Sequence, residues 1–359
     1  MKYLFQYTSE IVRYIQTIER INETMNLTVI PPVQAEMLRI QAQIRSTHFS
    51  TRIEGNRLTL KETEDVIRQG KNFAGRERDV KEVEQYYQAI DVMEKWVLKD
   101  EAITEELIQK MHAVLYYGKR SKPTNYRDGQ NVIREQGGGI VYMPPEAKDV
   151  PGLMNELVKW INNSVNELPI PVIAGITHYA FETIHPFYDG NGRTGRMLAT
   201  WVLFKGGYDL GRFYALEEFY ANDLNGYYAA LVTHPNANYY FGRHEADITP
   251  WLSYFLKGMA IIFEQVTARV RSEISDSQIT GTHLEYLRSL DYRARRVLSL
   301  FHTQDFIQSS EVASLLGLSI RQTRTYLAKW VDQGWIEVVD SSKKGRKYRL
   351  VEKYKILLK

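Results

Sequence analysis

Apolar residues recur at helical spacing through most of the chain. Residues 2 to 25 read as an amphipathic helix, and Pro31-Pro32 interrupts the pattern. Val33, Met37, Ile40 and Ile44, spaced by four, three and four, then mark one face of a second helix that Gly55 is placed to end. Thr59 to Glu62 has the spacing of a capping box for a short helix. Val80, Val83, Tyr87, Ile90, Met93 and Val97 describe a long helix, and Thr104 caps another running to about Tyr116. Val150, Met154, Leu157 and Ile161 define one more, followed by two apolar segments, Ile173 to Ile184 and Met197 to Phe204. Gly206-Gly207 stops the latter, and Thr249-Pro250 opens a last long helix with Leu252, Phe255, Met259 and Phe263.

The helical pattern breaks in two places. From Asn125 to Pro145 two short β-prone runs flank a Gly-rich turn that includes Glu135 to Gly139, which reads as a hairpin. Residues 272 to 283 lose periodicity and mark a domain junction. Beyond it come a helix from Leu284 to Phe301, a short helix around Val312 to Leu316, a turn at Gly317 and a helix from Ile320 to Asp332. Two strands, Trp335 to Val339 and Arg346 to Val351, follow around the loop Asp340 to Gly345. The predicted fold class is mainly α, a helical bundle with a β-hairpin and a small α+β domain behind it. The predicted segments are 1–115, 116–271 and 284–359.

Composition narrows this further. With 359 residues, 44% hydrophobic and 25% charged, the chain has the make-up of a multi-domain globular protein. It contains no cysteine, which excludes disulfides and thiolate metal sites. No run approaches a membrane span, and a cytoplasmic location is expected. The net charge of +3 is uneven. Residues 284–359 carry 15 Lys and Arg against 8 Asp and Glu, so the C-terminal part is basic and the rest acidic, as for a module that meets a polyanion.

The densest chemistry lies between the two apolar segments, in His185-Pro186-Phe187-Tyr188-Asp189-Gly190-Asn191-Gly192-Arg193-Thr194-Gly195-Arg196. Pro186 helps end the preceding helix, and Gly190 and Gly192 permit close ligand approach. A helix starting near Arg193 would offer free amides to phosphate oxygens, and Arg193 and Arg196 share one helical face from which both reach the same anion. Asp189 offers a hard oxygen to a nucleotide-borne Mg²⁺, and His185 a proton acceptor near neutral pH. Singly, Gly-Asn-Gly reads as a surface turn and His-Pro-Phe as a helix end; together they read as a phosphate site.

Written HPFxDGNGRxxR, the string resembles the signature of the Fic (filamentation induced by cAMP) family at every position of the pattern. Ser50, Glu54 and Gly55 resemble the inhibitory motif of Fic proteins. The resemblance implies that Glu54 pairs with Arg196 and obstructs the γ-phosphate. The 125–145 hairpin resembles the Fic flap, which lines up a target's extended backbone by strand addition; a purely structural hairpin is the competing reading. The resemblance places Val141 and Tyr142 of the flap, and Tyr227 and Tyr228 of Asn225 to Leu231, beside the nucleotide with Gly190, Asn191, Gly192, Arg193 and Arg196. With 24 tyrosines in the chain, packing competes for that pair. The implied activity is AMP transfer from ATP, with Mg²⁺ at Asp189, to a Tyr, Thr or Ser hydroxyl of a target protein or of the chain itself, with His185 as base.

Residues 284–359 resemble a winged helix-turn-helix. Arg321, Arg324 and Lys329 lie on its would-be recognition helix and Lys343 to Lys347 at the wing tip, a placement that suits DNA phosphates. Protein contact or dimerisation is the other use of such a module. The second reading of the chain is therefore a DNA-binding regulator whose Fic domain senses nucleotide or modifies itself. The expected partners are ATP, a target protein along the flap, DNA under that second reading, a second copy of the chain if it dimerises, and no membrane. Target, acceptor residue, oligomeric state and the signal that lifts the inhibition are not written in the residues.

Overall fold

The computed structural model describes residues 2–28, 30–119, 122–134, 139–275, 285–287, 289–302, 304–316, 318–340 and 346–358. Among the described residues, eleven α-helices build the larger part: α1 Ser9–Leu27, α2 Pro32–Ile53, α3 Leu60–Gln69, α4 Glu77–Leu98, α5 Glu105–Tyr117, α6 Val150–Ser164, α7 Ile170–Ile184, α8 Asn191–Lys205, α9 Glu217–Asn222, α10 Leu224–Leu231 and α11 Thr249–Ser275. The protein is mainly α. Among the described residues no helix is long and apolar enough to cross a membrane.

The bundle centres on α7 and α8, which bury nearly every side chain they carry. Such all-round apolar character belongs to a helix enclosed by others. Gly175 shows how close the enclosure is: a methyl there would stand 3.0 Å from both Leu252 and Phe255 of α11. Its carbonyl accepts the indole N–H of the fully buried Trp251 at 2.8 Å. The loop between α7 and α8 is thus anchored at both ends in rigid core.

Two elements differ from the pattern reading. The first helix begins at Ser9, capped by the Thr8 hydroxyl, and the residues before it are extended, with Leu4 bridged to Asp247 and its carbonyl accepting the Ile248 N–H at 2.9 Å. Short extended and helical stretches share apolar spacing, so alternation alone could not place that boundary. In α2, Met37 is 51% exposed, while Ala35, Leu38, Ala42 and Ile44 are buried. Alanines let neighbouring helices approach but weigh little in a hydrophobic pattern, which hid the true face. Val33's side chain lies outside the described residues. The capping box at Thr59 and Glu62 and the buried stripe Val150, Met154, Leu157 and Ile161 are as predicted.

The hairpin is small: β1 Ile133–Arg134 pairs antiparallel with β2 Ile140–Tyr142, with a register shift between Ile133 and Arg134. Its turn, from Glu135 to Gly138, lies outside the described residues, as do residues 276–284, Gly317 and the wing-tip residues Lys343, Lys344 and Gly345; of the expected junction 272–283, the first four residues continue α11. Past β2 the chain is tied to the 237–239 loop, with Met143 N–H donating to the Ala237 carbonyl at 2.8 Å and Tyr239 N–H to the Met143 carbonyl at 3.0 Å.

The C-terminal residues have a core of their own, drawn from Leu287 to Leu357 and including the fully buried Trp330 and Trp335. Helices Ser309–Leu316 and Ile320–Asp332 lie in the chain between the first and second strands of a three-stranded antiparallel sheet, β3 Ile307–Gln308, β4 Ile336–Asp340 and β5 Lys347–Leu350, in the order β3-β5-β4. Ser319 and Gln322 form a second capping box at the start of the latter helix.

Candidate active site

His185 is the last residue of α7's turn, in the left-handed region at φ 51° and ψ 59°. Helices commonly end on such a residue, although a side chain beyond glycine is strained there. Burial lowers its imidazole pKa to about 4, against the ordinary 6.5, so the ring is neutral at pH 7. Its buried Nδ1 makes no hydrogen bond of ordinary geometry among the described residues, although the Glu182 backbone lies near enough to the ring to oppose the fall in pKa. A neutral imidazole with an unspent nitrogen is the form in which histidine accepts a proton.

Asn191 closes the loop. Its side-chain oxygen accepts the Phe187 N–H at 2.9 Å and its amide donates to the Phe187 carbonyl at 2.8 Å. That side chain is therefore spent inside the loop, and what it leaves for a ligand is its backbone N–H. α8 begins at Asn191 itself, two residues earlier than the pattern suggested, with Gly190 before it at φ 77°. The first amides of a helix have no partner within it, so those of Asn191, Gly192 and Arg193 form an anion-attracting cluster. The Gly190 N–H is taken by Asp189 Oδ1 at 2.6 Å.

Arg193 is buried, and its Nε has no hydrogen-bond partner among the described residues. Arg196, 2% exposed, is fully engaged. Its Nε donates to Ser50 Oγ and its Nη2 to the Ser50 carbonyl, both at 3.0 Å, and Nη2 also meets Glu54 Oε1 at 2.7 Å. Burial opposes its charge, but Glu54 beside it, with Tyr227 and Tyr86, holds its pKa well above the ordinary value. Glu54 also stands over the helix start, where a methyl added to Gly192 would run into its Oε1. A carboxylate thus stands over the free amides at the start of α8.

The expected tyrosines divide. Tyr227 is buried beside Arg196, hydrogen-bonded to His178 at 2.8 Å and stacked on Tyr220. Tyr228 is 47% exposed. On the flap, Val141 is exposed, whereas Tyr142 is buried with its hydroxyl donating to the Thr183 carbonyl at 2.7 Å. Tyr142 thereby fastens the flap to α7 and keeps no free hydroxyl for a nucleotide.

Asp189 is exposed, with Oδ1 accepting from Gly190 and the Tyr116 hydroxyl beside its carboxylate. Among the described residues no group of three or more His, Asp or Glu side chains stands ready to hold a metal. One exposed carboxylate fits Mg²⁺ that arrives with phosphates and keeps most of its water.

Sequence reasoning missed three residues. His112 of α5 stacks on Phe187 at 3.7 Å between ring centres, and its Nε2 donates to the Asp189 carbonyl at 2.8 Å. Glu182, one turn before His185, has a pKa raised to about 7 by burial, with Arg196 opposing the rise. Arg127 bonds the His185 carbonyl at 3.0 Å. Each is a single polar residue among apolar or turn residues, and nothing in its spacing distinguishes it.

Residues 102–203 match the sequence model of the Fic/DOC family. The chain is 28% identical over 200 residues to a protein adenylyltransferase Fic of Nematostella vectensis, an alignment covering 54% of this chain and 45% of that protein. It is 27% identical over 250 residues to a probable protein adenylyltransferase of Aquifex aeolicus, covering 69% and 68%. The chain spans less than half the length of the animal relatives it matches. Among solved structures, a Fic family protein from Desulfovibrio desulfuricans G20 superposes with a TM-score of 0.60 at 26% identity, covering 98% of this chain and 99% of the other. Fic-1 of C. elegans shares the fold at a TM-score of 0.57 and 20% identity over 73% of each chain. The HPFxDGNGRxxR loop and its helices therefore belong to a Fic/DOC-family domain, which this chain carries at residues 102–203.

Proposed function

We propose that the chain is a protein adenylyltransferase that moves AMP from ATP to a Tyr, Thr or Ser hydroxyl of a target protein or of itself, with Glu54 as a built-in restraint. The observation that carries this reading is the start of α8, where Arg196 and the amide-bearing turn at Gly192 meet the Glu54 carboxylate, which stands in for phosphate. The names of the relatives point the same way.

In this mechanism neutral His185 takes the proton of the incoming hydroxyl, whose oxygen attacks the α-phosphorus. The bond from that phosphorus to its bridging oxygen breaks, and pyrophosphate leaves. The Gly190 to Arg193 segment and the two arginines stabilise the charge that develops on the phosphates. Asp189 would hold Mg²⁺ carried by ATP, which neutralises phosphate charge. Ile140 and Val141 are exposed on β2, which pairs only with β1 among the described residues, and an extended target segment can align there. With Arg196 occupied and Gly192 covered, a γ-phosphate finds neither its guanidinium nor its space, so Glu54 holds the enzyme off. Label transfer from ATP labelled at the α-phosphate, with His185→Ala as control, tests the reading. Mass spectrometry of host lysate incubated with the Glu54→Gly protein, ATP and Mg²⁺ would name the acceptor.

A second reading, a DNA-binding regulator, has its own support. Arg321 and Arg324 are exposed on helix Ile320–Asp332, and Arg346 and Lys347 lie exposed at the start of β5. Lys329 counts less, because it pairs with Asp291 at 3.3 Å. On this reading residues 284–359 form a winged helix that brings the Fic/DOC-matching residues 102–203 to DNA.

A further inference from the structure

Arg127 belongs neither to the HPFxDGNGRxxR loop nor to a flap strand, yet it holds both. Its backbone N–H donates to the Pro186 carbonyl at 2.9 Å and its Nε to the His185 carbonyl at 3.0 Å. Its Nη1 donates to the Gly129 carbonyl at 3.0 Å, and its Nη2 to the Pro145 carbonyl. Arg127 is 2% exposed, burial lowers its pKa, and among the described residues the groups that oppose that fall include no carboxylate. Burying a charge is costly unless its hydrogen bonds are made, so this guanidinium depends on those carbonyls staying where they are.

The carbonyls come from three places that a transfer reaction must keep in register. Gly129 precedes β1, Pro145 follows β2, and His185 carries the imidazole. His185 also sits in a left-handed conformation that its surroundings must over-determine. The same flap segment adds Asn131, whose amide donates to the Phe187 and Tyr188 carbonyls, each at 3.3 Å.

We propose that Arg127 is a positioning residue for the transfer reaction: one buried guanidinium fastens both ends of the flap to the carbonyl of His185, so that the target's alignment and the aim of the imidazole are set together. Its consequence for catalysis rests on the adenylyltransferase reading, whereas the coupling of flap to loop does not. Arginine suits the role because its planar fork spans several carbonyls at once, which a lysine ammonium on one stem does not do.

The test uses Arg127→Lys and Arg127→Gln in the intact Glu54→Gly chain. Amide hydrogen exchange is followed at 129–134, 139–145 and 185–190, beside ATP KM and the rate of label transfer. We expect exchange to rise in the flap and the loop together. Transfer should fall about 100-fold, the scale of a small misplacement of a reacting group, with ATP KM changed less than about threefold, since nucleotide contacts are untouched. Exchange rising in the flap alone, or in neither segment, overturns the coupling. A loss appearing wholly in ATP KM overturns the positioning role. If Arg127→Gln unfolds, Arg127→Lys carries the test, because it keeps the charge and loses only the fork. Unfolding of both makes Arg127 a stabilising residue and overturns the proposal. If the parent Glu54→Gly protein transfers nothing, the adenylyltransferase reading fails, while the exchange data still decide the coupling.

Discussion

Glu54 Oε1 lies 2.7 Å from Arg196 Nη2, joining residues 142 apart in the chain and the end of α2 to the second turn of α8. Asn56 holds the segment in place, its buried amide donating to the Asp79 carbonyl at 3.0 Å and to Glu82 at 3.1 Å. Replacing Glu54 with Gly should free Arg196 and uncover Gly192 without disturbing that anchor. ATP should then bind at least about tenfold more tightly, equivalent to about 1.4 kcal/mol, as read by calorimetry. Glu54→Gln should give part of the gain, since it removes the charge and keeps the bulk. Equal affinity in all three proteins would dismiss Glu54 as a restraint.

Asn191 is expected to matter through the loop and not through a side-chain contact to nucleotide. Asn191→Ala leaves the Phe187 amide and carbonyl without their partners. That should cost on the order of 2 kcal/mol and lower the thermal midpoint in calorimetry. Asn191→Asp should recover part of the stability by keeping the acceptor. An unchanged midpoint in Asn191→Ala would contradict the closure assigned to this side chain.

Stability should fall in mild acid. Burial lowers the pKa of His48 and His112 to about 4 and of His178 to about 3, and all three are almost wholly enclosed. Below the unfolded value near 6.5, the unfolded chain binds protons that the native state refuses. Stability is therefore full above that value and declines as pH falls from it toward 4, each of the three rings costing about 1.4 kcal/mol for every pH unit the solution drops below 6.5. Glu182, raised to about 7, works the other way, stabilising below its unfolded value and losing that contribution as pH rises through 7. These three histidines, with His185 lowered in the same direction, outweigh Glu182, so the thermal midpoint should drop between pH 6.5 and 4. A flat profile would mean that these rings are not held neutral.

Much of this site was legible because its groups sit next to one another. Twelve consecutive residues carry the proton acceptor, the metal-suited carboxylate and the anion-binding helix start, and Ser50 and Glu54 are spaced so that one helix turn brings both to Arg196. What escaped was whatever acts across the fold. Arg127 and His112 reach the loop from 58 and 77 residues away through backbone carbonyls, which have no side-chain identity to read. The buried face of α2 escaped for a different reason, since it is lined by alanines. Tyr142 and Tyr227 were expected beside the nucleotide, but burial commits both hydroxyls within the protein, to the Thr183 carbonyl and to His178.

The C-terminal module offers a separate test. Arg321→Ala with Arg324→Ala should weaken salt-sensitive association with duplex DNA and leave folding intact, because both side chains are exposed. Removing two phosphate contacts should lessen the slope of log affinity against log salt by roughly 2, measured by fluorescence anisotropy. If the unaltered protein fails to bind duplex DNA even at low ionic strength, the module serves protein contacts instead.

The central claim, that His185 drives nucleotidyl transfer at an anion site which Glu54 occupies, is tested most directly by label transfer from ATP labelled at the α-phosphate. Three intact chains are compared: unaltered, Glu54→Gly, and Glu54→Gly with His185→Ala. We expect little label with the first, strong protein-bound label with the second and none above background with the third. Transfer that persists without His185, or a Glu54→Gly protein that labels neither itself nor any protein in host lysate, would contradict the account.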